Sequence, residues 1–140
     1  MIVCIIQARM GSTRLPRKVM MKIREKPLLH YVINQVKQSK KLDNIVIATT
    51  TLIEDTQIVN YVNLLQENFF RGDPENVLDR YYECAKEYNA DTIVRITADC
   101  PLIDPKIIDK CISKFQNGDF DYLSNTIKKE NSIWNYHHNG

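Results

Sequence analysis

The chain has 140 residues, 44% of them apolar and 26% charged, a composition that argues against a disordered polypeptide and gives no reason to expect a second domain. Its net charge of +2 offers no basis for binding a nucleic acid or a membrane with the whole surface. The apolar start is interrupted by Gln7 and Arg9, and no apolar run approaches the roughly 20 residues of a membrane span. Neither a leader nor a span is therefore predicted.

The first half of the chain alternates strands and helices. Continuous β-branched runs predict buried strands over Ile2 to Ile6 and over Asn44 to Thr49. Between them, apolar residues at helical spacing predict a helix over Pro27 to Lys40. After the second strand, Asp55 is placed to cap a helix whose apolar stripe runs from Ile58 to Leu65.

The second half continues the same alternation. A short strand at Phe69 and Phe70 leads to Asp73, which is a good N-cap because a proline follows it. A strand is predicted over Thr92 to Thr97, and Asp104, also followed by proline, caps the last helix. A final short strand is predicted over Phe120 to Ser124. The helix after Asp73 is expected to bury Val77, Leu78, Tyr81, Tyr82 and Ala85.

This order of elements predicts an α/β protein, a three-layer α/β/α sandwich around a mostly parallel, mixed sheet. Residues 1–126 are expected to form one domain, because no linker or repeat interrupts them. The segment 127–140 has few large apolar residues and no clear period, so no structure is predicted for it.

The connection after the first strand, from Gln7 to Lys18, combines a glycine, two hydroxyl residues and several cations. Ligands of open α/β sheets bind beyond the carboxyl ends of the strands, and Arg and Lys are the side chains that hold phosphates. The loop therefore predicts a site for a compact anion such as a triphosphate, with a solvated basic loop as the plainer alternative. No acidic residue precedes Glu25, whereas the basic residues up to that point are Arg9, Arg14, Arg17, Lys18, Lys22 and Arg24.

This loop is not a Walker A motif. Arg17 stands where a second glycine would precede Lys18, and Val19 follows where Ser or Thr would be needed. The dinucleotide fingerprint G-x-G-x-x-G is absent too. An ATPase and a dehydrogenase are therefore disfavoured.

Three further connections carry candidate ligand contacts. The small polar residues from Ala48 to Thr51 suit hydrogen bonds to a base or ribose, although a turn role explains them equally well. Arg71 is a candidate ligand contact, and a purely structural role for it is left equally open. Asp99 ends a buried strand and precedes Cys100 and Pro101, a place where a carboxylate needs several hydrogen bonds or a cation. We expect Asp99 to bind Mg²⁺ together with substrate phosphates.

Taken together, these motifs resemble those of the CMP-sugar synthetases, the cytidylyltransferases that activate KDO and acylneuraminates. The nearest likeness is to the branch associated with spore coat polysaccharide biosynthesis. It extends from Ile2 to about Thr126. The segments that carry it are Gln7 to Pro16 with Lys18, Ile47 to Thr50, Phe70 to Tyr81, and Arg95 to Asp104.

The resemblance implies the nucleotidyltransferase version of a Rossmann-like sheet, CTP with Mg²⁺, and attack of a sugar hydroxyl on the α-phosphorus with loss of pyrophosphate. It implies that Arg9 and Lys18 hold the triphosphate, that Asp99 binds Mg²⁺, and that these three residues serve catalysis. Ala48, Thr49 and Arg71 would lie near the cytosine and ribose. Main-chain amides would wrap the nucleotide at Ala8, Arg9, Met10, Gly11 and Ser12.

The sequence departs from the family pattern in two ways. Arg17 replaces the glycine usual before the lysine, which adds charge and removes backbone freedom. Family members are also distinctly longer, and their further portion supplies sugar-pocket residues, a second metal carboxylate and much of a dimer interface. The expectation is therefore a nucleotide-binding part that resembles a truncated enzyme, with a homodimer left open.

Two functions remain after this comparison: an active enzyme that makes a CMP-sugar, and a catalytically inactive nucleotide-binding or interaction module. A receiver-like signalling domain is disfavoured, because its acidic cluster after the first strand is replaced here by Gln7 and Arg9. We expect a cytoplasmic protein with reduced thiols, because the cysteines have no C-x-x-C pair and no regular spacing. They are Cys4, Cys84, Cys100 and Cys111.

Overall fold

The structure is a computed structural model that describes residues 1–12 and 15–126. Its strands are β1 (Ile2–Gln7), β2 (Lys22–Ile23), β3 (Lys26–Pro27), β4 (Asn44–Thr50), β5 (Asn68–Gly72) and β6 (Thr92–Thr97). Its helices are α1 (Leu28–Val36), α2 (Thr56–Leu64), α3 (Val77–Glu87) and α4 (Pro105–Gln116). Short 3₁₀ turns lie at Lys18–Met20 and Ile53–Asp55.

Four strands form the central sheet in the order β5-β4-β1-β6, and every neighbouring pair is parallel. Gln7, the last residue of β1, lies opposite Ala48 on one side and Thr97 on the other. The carboxyl ends of the strands therefore reach the same edge of the sheet, where the connections predicted to bind a ligand come together. The antiparallel pair β2-β3 is a separate hairpin.

Helices cover both faces of the sheet, which confirms the predicted three-layer architecture. Cys4 and Ile6 of β1 pack into a core with α1, α2 and α4, whereas Val3 and Ile5 pack into a second core with α3. Alternate residues of one strand thus serve opposite cores, so the strand is buried on both faces and reads as a continuous apolar run.

Two of the predicted helix boundaries are wrong. α1 ends at Val36 rather than Lys40, because Gln38 and Ser39 donate to carbonyls three residues back and tighten the chain into turns. The N-cap of α3 is Asn76, whose side chain accepts from the N–H of Asp79 at 3.0 Å. Asp73 instead accepts from two N–H groups of the preceding turn. The predicted cap of α4 is confirmed, since Asp104 accepts from Lys106.

The apolar face predicted for α3 is confirmed at Tyr81 and Ala85, which are buried, and wrong at two other positions, and the last predicted strand is wrong. Leu78 and Tyr82 are 79% and 62% exposed, whereas Arg80, on the inner face of the helix, is 1% exposed. Residues 120–124 form no strand, and Tyr122 is 81% exposed. Within residues 1–126 as described, β6 consequently pairs only with β1, and a groove of about 1530 Å³ lies beside it. The segment 127–140 lies outside the described residues.

The described helices and cysteines relate to two expectations, that no segment spans a membrane and that the thiols are reduced. None of these helices combines the length and the apolar character needed to cross a bilayer. All four cysteines are free thiols. Cys4 and Cys84 are fully buried, and burial raises the pKa of each thiol to about 12.

Candidate functional site

Backbone hydrogen bonds join the connections at the carboxyl edge of the sheet. The N–H of Ala8 donates to the carbonyl of Ala48 at 3.0 Å, and the N–H of Ala98 donates to Gln7 at 3.0 Å. The N–H of Thr51 donates to Gly72 at 3.0 Å in the same way. These bonds extend the parallel ladder past the ends of the strands. They hold the edge as one continuous rim rather than as four independent loops.

The connection that leaves β1, residues 8–17, is called the β1 loop below. Its Ala8 and Met10 side chains are buried, whereas Arg9 and Gly11 are exposed. The loop is closed at its base because the N–H of Arg17 donates to the carbonyl of Met10 at 2.8 Å. Arg17 adopts a left-handed backbone with φ of 62°, the conformation that the glycine usual here would enter without strain. Thr13 and Arg14 lie outside the described residues.

Two of the five amides predicted to wrap a ligand already have acceptors within the protein. The N–H of Ala8 binds Ala48, and the N–H of Met10 donates to the carboxylate of Asp55 at 2.7 Å. For the N–H groups of Arg9, Gly11 and Ser12, the described part of the chain offers no acceptor. The loop therefore presents three uncommitted main-chain donors beside an exposed arginine.

Asp55 is a contact residue that the sequence pattern missed. Its side chain makes no helix-capping bond although it occupies the N-cap position of α2. It is 1% exposed and accepts from Met10 N–H and from the hydroxyl of Thr50. The Thr50 oxygen in turn accepts from the N–H of Leu52 at 3.1 Å. One carboxylate thus joins the β1 loop, the end of β4 and the start of α2.

The structure brings together two of the predicted site residues that are 81 positions apart. The ammonium of Lys18 donates to the Asp99 carboxylate at 2.7 Å, with the side chains 34% and 30% exposed. Partial burial alone would raise the pKa of Asp99, but hydrogen bonds from Lys18 and Thr97 and the charge of Lys18 outweigh it and hold that pKa below its ordinary value. The Asp99 carboxylate is therefore ionised and partly accessible at neutral pH.

Asp99 is the one predicted metal ligand. Among residues 1–12 and 15–126, no group of three or more His, Cys, Asp or Glu side chains is arranged to hold a metal ion. A partly exposed carboxylate fits Mg²⁺ of the kind that is held by one or two protein carboxylates together with substrate phosphates and water. It does not fit an ion held by the protein alone.

Arg71, Ala48 and Thr49 occupy the rim between β4 and β5. The Arg71 guanidinium donates from Nε to the carbonyl of Thr50 at 2.9 Å and from Nη2 to that of Leu52 at 2.7 Å. It therefore braces the chain that leaves β4. Ala48 and Thr49 are buried, and no partner for the Thr49 hydroxyl is found in the described part of the chain.

Arg80 is a second residue that the sequence analysis missed. It is 1% exposed and donates from Nη1 to the carbonyl of Asp73, while Nε and Nη2 have no acceptor among the described residues. Burial and the charge of Arg9 lower the pKa of Arg80. The sequence did contain a signal, because Arg80 lies on the helix face of Val77, Tyr81 and Cys84, where a cation is unusual.

A family model described as cytidylyltransferase matches residues 3–138. The chain belongs to the cytidylyltransferase family. It is 46% identical over 123 residues to an uncharacterised protein of Methanocaldococcus jannaschii, with 88% of this chain and 51% of the relative covered. It is 38% identical over 132 residues to the spore coat polysaccharide biosynthesis protein SpsF of Bacillus subtilis, covering 89% of this chain and 54% of the relative.

A solved cytidylyltransferase from Leptospira borgpetersenii has the same fold, with a TM-score of 0.78 and 39% identity over 82% of this chain and 48% of that one. The chain thus spans about half the length of the curated relatives it matches. Membership of the cytidylyltransferase family confirms both the predicted resemblance and the predicted fold. The parts assigned to individual residues of this cytidylyltransferase remain predictions.

Proposed function

We propose that this cytidylyltransferase chain binds CTP with Mg²⁺ at the carboxyl edge of its sheet and transfers CMP to a sugar hydroxyl, with release of pyrophosphate. The observation that carries the proposal is the concentration of donors and cations at one place. The amides of Arg9, Gly11 and Ser12 in the β1 loop have no acceptor among residues 1–12 and 15–126, the Arg9 side chain is exposed, and Lys18 follows at the base of the same loop. A triphosphate is a compact ligand that can use all of them.

The chemistry needs positioning and charge neutralisation more than a protein nucleophile. The sugar hydroxyl loses its proton to solvent water as its oxygen forms a bond to the α-phosphorus, while the bond from that phosphorus to the bridging oxygen breaks and pyrophosphate carries away the electron pair. Arg9 and Lys18 would stabilise the charge that develops on the phosphate oxygens. When bound through Asp99, Mg²⁺ would neutralise further phosphate charge.

Lys18 has to change partner in this scheme. Its ammonium donates to the Asp99 carboxylate at 2.7 Å, and a bound nucleotide with Mg²⁺ would compete for both groups. Phosphates would attract the ammonium, and the released carboxylate could take the metal. The ion pair therefore keeps both groups at the same point of the rim until the nucleotide arrives.

The base and ribose are assigned to the β4–β5 side of the rim. Ala48 and Thr49 end β4 there, and Arg71 has two of its donors committed to carbonyl groups. A ligand contact by Arg71 would use its remaining Nη1, while the other two bonds fix the direction of the guanidinium. Arg71 would thus both hold the chain that leaves β4 in place and bind the nucleotide.

A sugar of a surface polysaccharide is the proposed acceptor, because the Bacillus subtilis relative is named for spore coat polysaccharide biosynthesis. The identity of the sugar, the cytoplasmic location and assembly into a homodimer belong to the same proposal. The acceptor test should include neutral sugars as well as sugar acids. The resemblance includes enzymes that activate sugar acids, whereas the name of the spore coat relative specifies no sugar, so both types are included.

Calorimetric titration with CTP, with and without Mg²⁺, tests the nucleotide part. Arg9→Ala should weaken CTP binding about tenfold or more, because it removes a charge-assisted contact. Asp99→Ala should remove only the Mg²⁺-dependent gain. Lys40→Ala is a control, because it removes the same charge in the exposed loop before β4 and should leave binding unchanged. Absence of CTP binding in the wild-type chain would contradict the proposal.

Release of pyrophosphate from CTP tests the catalytic part. Release should require an acceptor sugar and should fall in Arg9→Ala and Lys18→Met. Binding of CTP without release in the presence of any acceptor would contradict transfer by this chain, while the nucleotide site would stand.

A further inference from the structure

We infer that Asp55 is a positioning residue of the nucleotide site, which acts by fixing the β1 loop through the N–H of Met10. The inference rests on the proposed function, since the loop it fixes is the one assigned to the triphosphate. Asp55 is not among the residues that the sequence predicts for the site. Its only expected part was to cap α2, and the structure gives its carboxylate other partners.

The contacts of Asp55 join segments that are distant in sequence. Met10 N–H reaches the carboxylate at 2.7 Å from 45 positions away, and the Thr50 hydroxyl reaches its other oxygen. The residue is 1% exposed, so water does not compete for either oxygen. The bond to the Met10 amide is a charge-assisted contact in a buried place, which is the stronger kind.

A capping role does not account for this carboxylate. Any of Ser, Thr or Asn would serve at the start of α2 without burying a charge, and a buried charge is costly unless its partners require it. The helix dipole of α2 and the nearby charge of Arg80 both favour an anion here. The negative charge of Asp55 is therefore tolerated, and we assign its function to the groups that it binds, the N–H of Met10 and the hydroxyl of Thr50.

Fixing Met10 determines which amides of the β1 loop remain for a ligand. With the N–H of Met10 turned to Asp55 and that of Ala8 turned to Ala48, the loop amides that find no acceptor in the described part of the chain are those of Arg9, Gly11 and Ser12. A mobile loop would lose conformational entropy when it becomes ordered around the nucleotide. A loop that is already fixed avoids this loss, so its free energy of binding is more favourable. Loss of the anchor should therefore weaken triphosphate binding while leaving the sheet intact.

Asp55→Ser is the decisive variant. Serine is favoured at the N-cap position that Asp55 occupies, so α2 should still start there, but its side chain is too short to reach Met10 and the loop loses its anchor. We expect CTP to bind about tenfold more weakly. We also expect the Met10 amide to exchange its hydrogen faster and its NMR resonance to move, a signature that a capping role would not produce. Asp55→Asn keeps an acceptor oxygen without its charge and should give values of both properties between those of Asp55→Ser and the wild-type chain.

Asp109→Ala is the matched control. Asp109 lies on α4 and also accepts from a hydroxyl, Ser39 at 2.5 Å, and from a backbone amide, Lys40 at 3.1 Å, but both donors belong to the loop that precedes β4. Its removal should cost stability and leave both CTP affinity and the Met10 amide unchanged.

The inference is overturned if Asp55→Ser binds CTP as tightly as the wild-type chain. If Asp55→Ser does not fold, Asp55→Asn decides. Its neutral oxygen should give intermediate Met10 exchange and intermediate CTP affinity, and an unchanged affinity overturns the inference. If the wild-type chain does not bind CTP, the proposed function fails, and this result differs from a failure of the Asp55 inference, in which the wild-type chain binds CTP and Asp55→Ser binds it equally well. Met10 exchange in Asp55→Ser then still decides whether the carboxylate fixes the loop.

Discussion

Single side chains at the carboxyl edge of the sheet are already engaged with one another before any ligand is present. Lys18 holds Asp99, Asp55 holds Met10 and Thr50, and Arg71 holds the chain after β4. Apart from the bond between Asp55 and Thr50, each contact bridges segments that are distant in sequence. A substitution at one of these residues is therefore expected to act on the geometry of its partner as well as on the ligand.

Lys18→Met should reduce the free energy of unfolding by about 1 kcal/mol or less near neutral pH, because the Lys18–Asp99 pair is one-third exposed. The pKa of Asp99 is lowered in the folded chain, so this contribution is complete above the ordinary Asp pKa of about 4 and is lost as the pH falls through the folded value. Urea unfolding of both proteins between about pH 7 and pH 3 measures it. A difference independent of pH would contradict the pair.

Arg80→Met should leave stability unchanged or raise it by about 1 kcal/mol, because a buried guanidinium, two of whose nitrogens have no acceptor among the described residues, is replaced by an apolar chain of similar length. The same change should weaken CTP and pyrophosphate binding, since the charge of Arg80 adds to the field at Arg9. Thermal unfolding and titration measure the two effects. Arg95→Met, which removes an exposed cation over the ring of Tyr81, should change binding much less.

Whole elements were predictable where the sequence signal is local. The bounds of β6 match the prediction, and β1 and β4 each extend it by one residue. β1 and β4 were predictable because strands that are buried on both faces carry uninterrupted β-branched runs. The inner face of α3 was misassigned because Arg80 lies among its apolar residues and arginine is rarely buried. The link from Asp55 to Met10 could not be predicted, since nothing near either residue in sequence specifies the other.

Helix starts offer a direct test of the corrected boundaries. Asn76→Ala should lower the free energy of unfolding by about 1 kcal/mol, because Asn76 caps α3 through the N–H of Asp79. Asp104→Ala should cost a similar amount at α4. Denaturant unfolding measures both, with Asp119→Ala, an exposed change after α4, as the control. An Asn76→Ala protein as stable as wild type would contradict the assigned cap.

At the scale of the whole molecule, two cores on opposite faces of one thin sheet hold the described chain together. Cys4 lies in the core with α1, α2 and α4, and Cys84 lies in the core with α3. The two thiols therefore report separately on whether either core opens.

In the folded chain, iodoacetamide should modify Cys100 and Cys111, which are partly exposed, well before Cys4 and Cys84. The buried thiols are out of reach, and their pKa of about 12 leaves almost no thiolate to react. Mass spectrometry of the labelled peptides over time measures the order. All four should react together once the chain is unfolded. Earlier reaction of Cys84 than of Cys4 would show that the α3 side opens independently.

The left-handed backbone of Arg17 bears on which sequences this loop can evolve into. A residue with φ of 62° is accessible to glycine at no cost and to asparagine at little cost, whereas valine or isoleucine would be strained there. Arginine and glycine can therefore replace each other at this position: arginine adds a positive charge, whereas glycine adopts the left-handed backbone without strain. A saturation library selected for folding should return Gly and Asn beside Arg and exclude the β-branched residues.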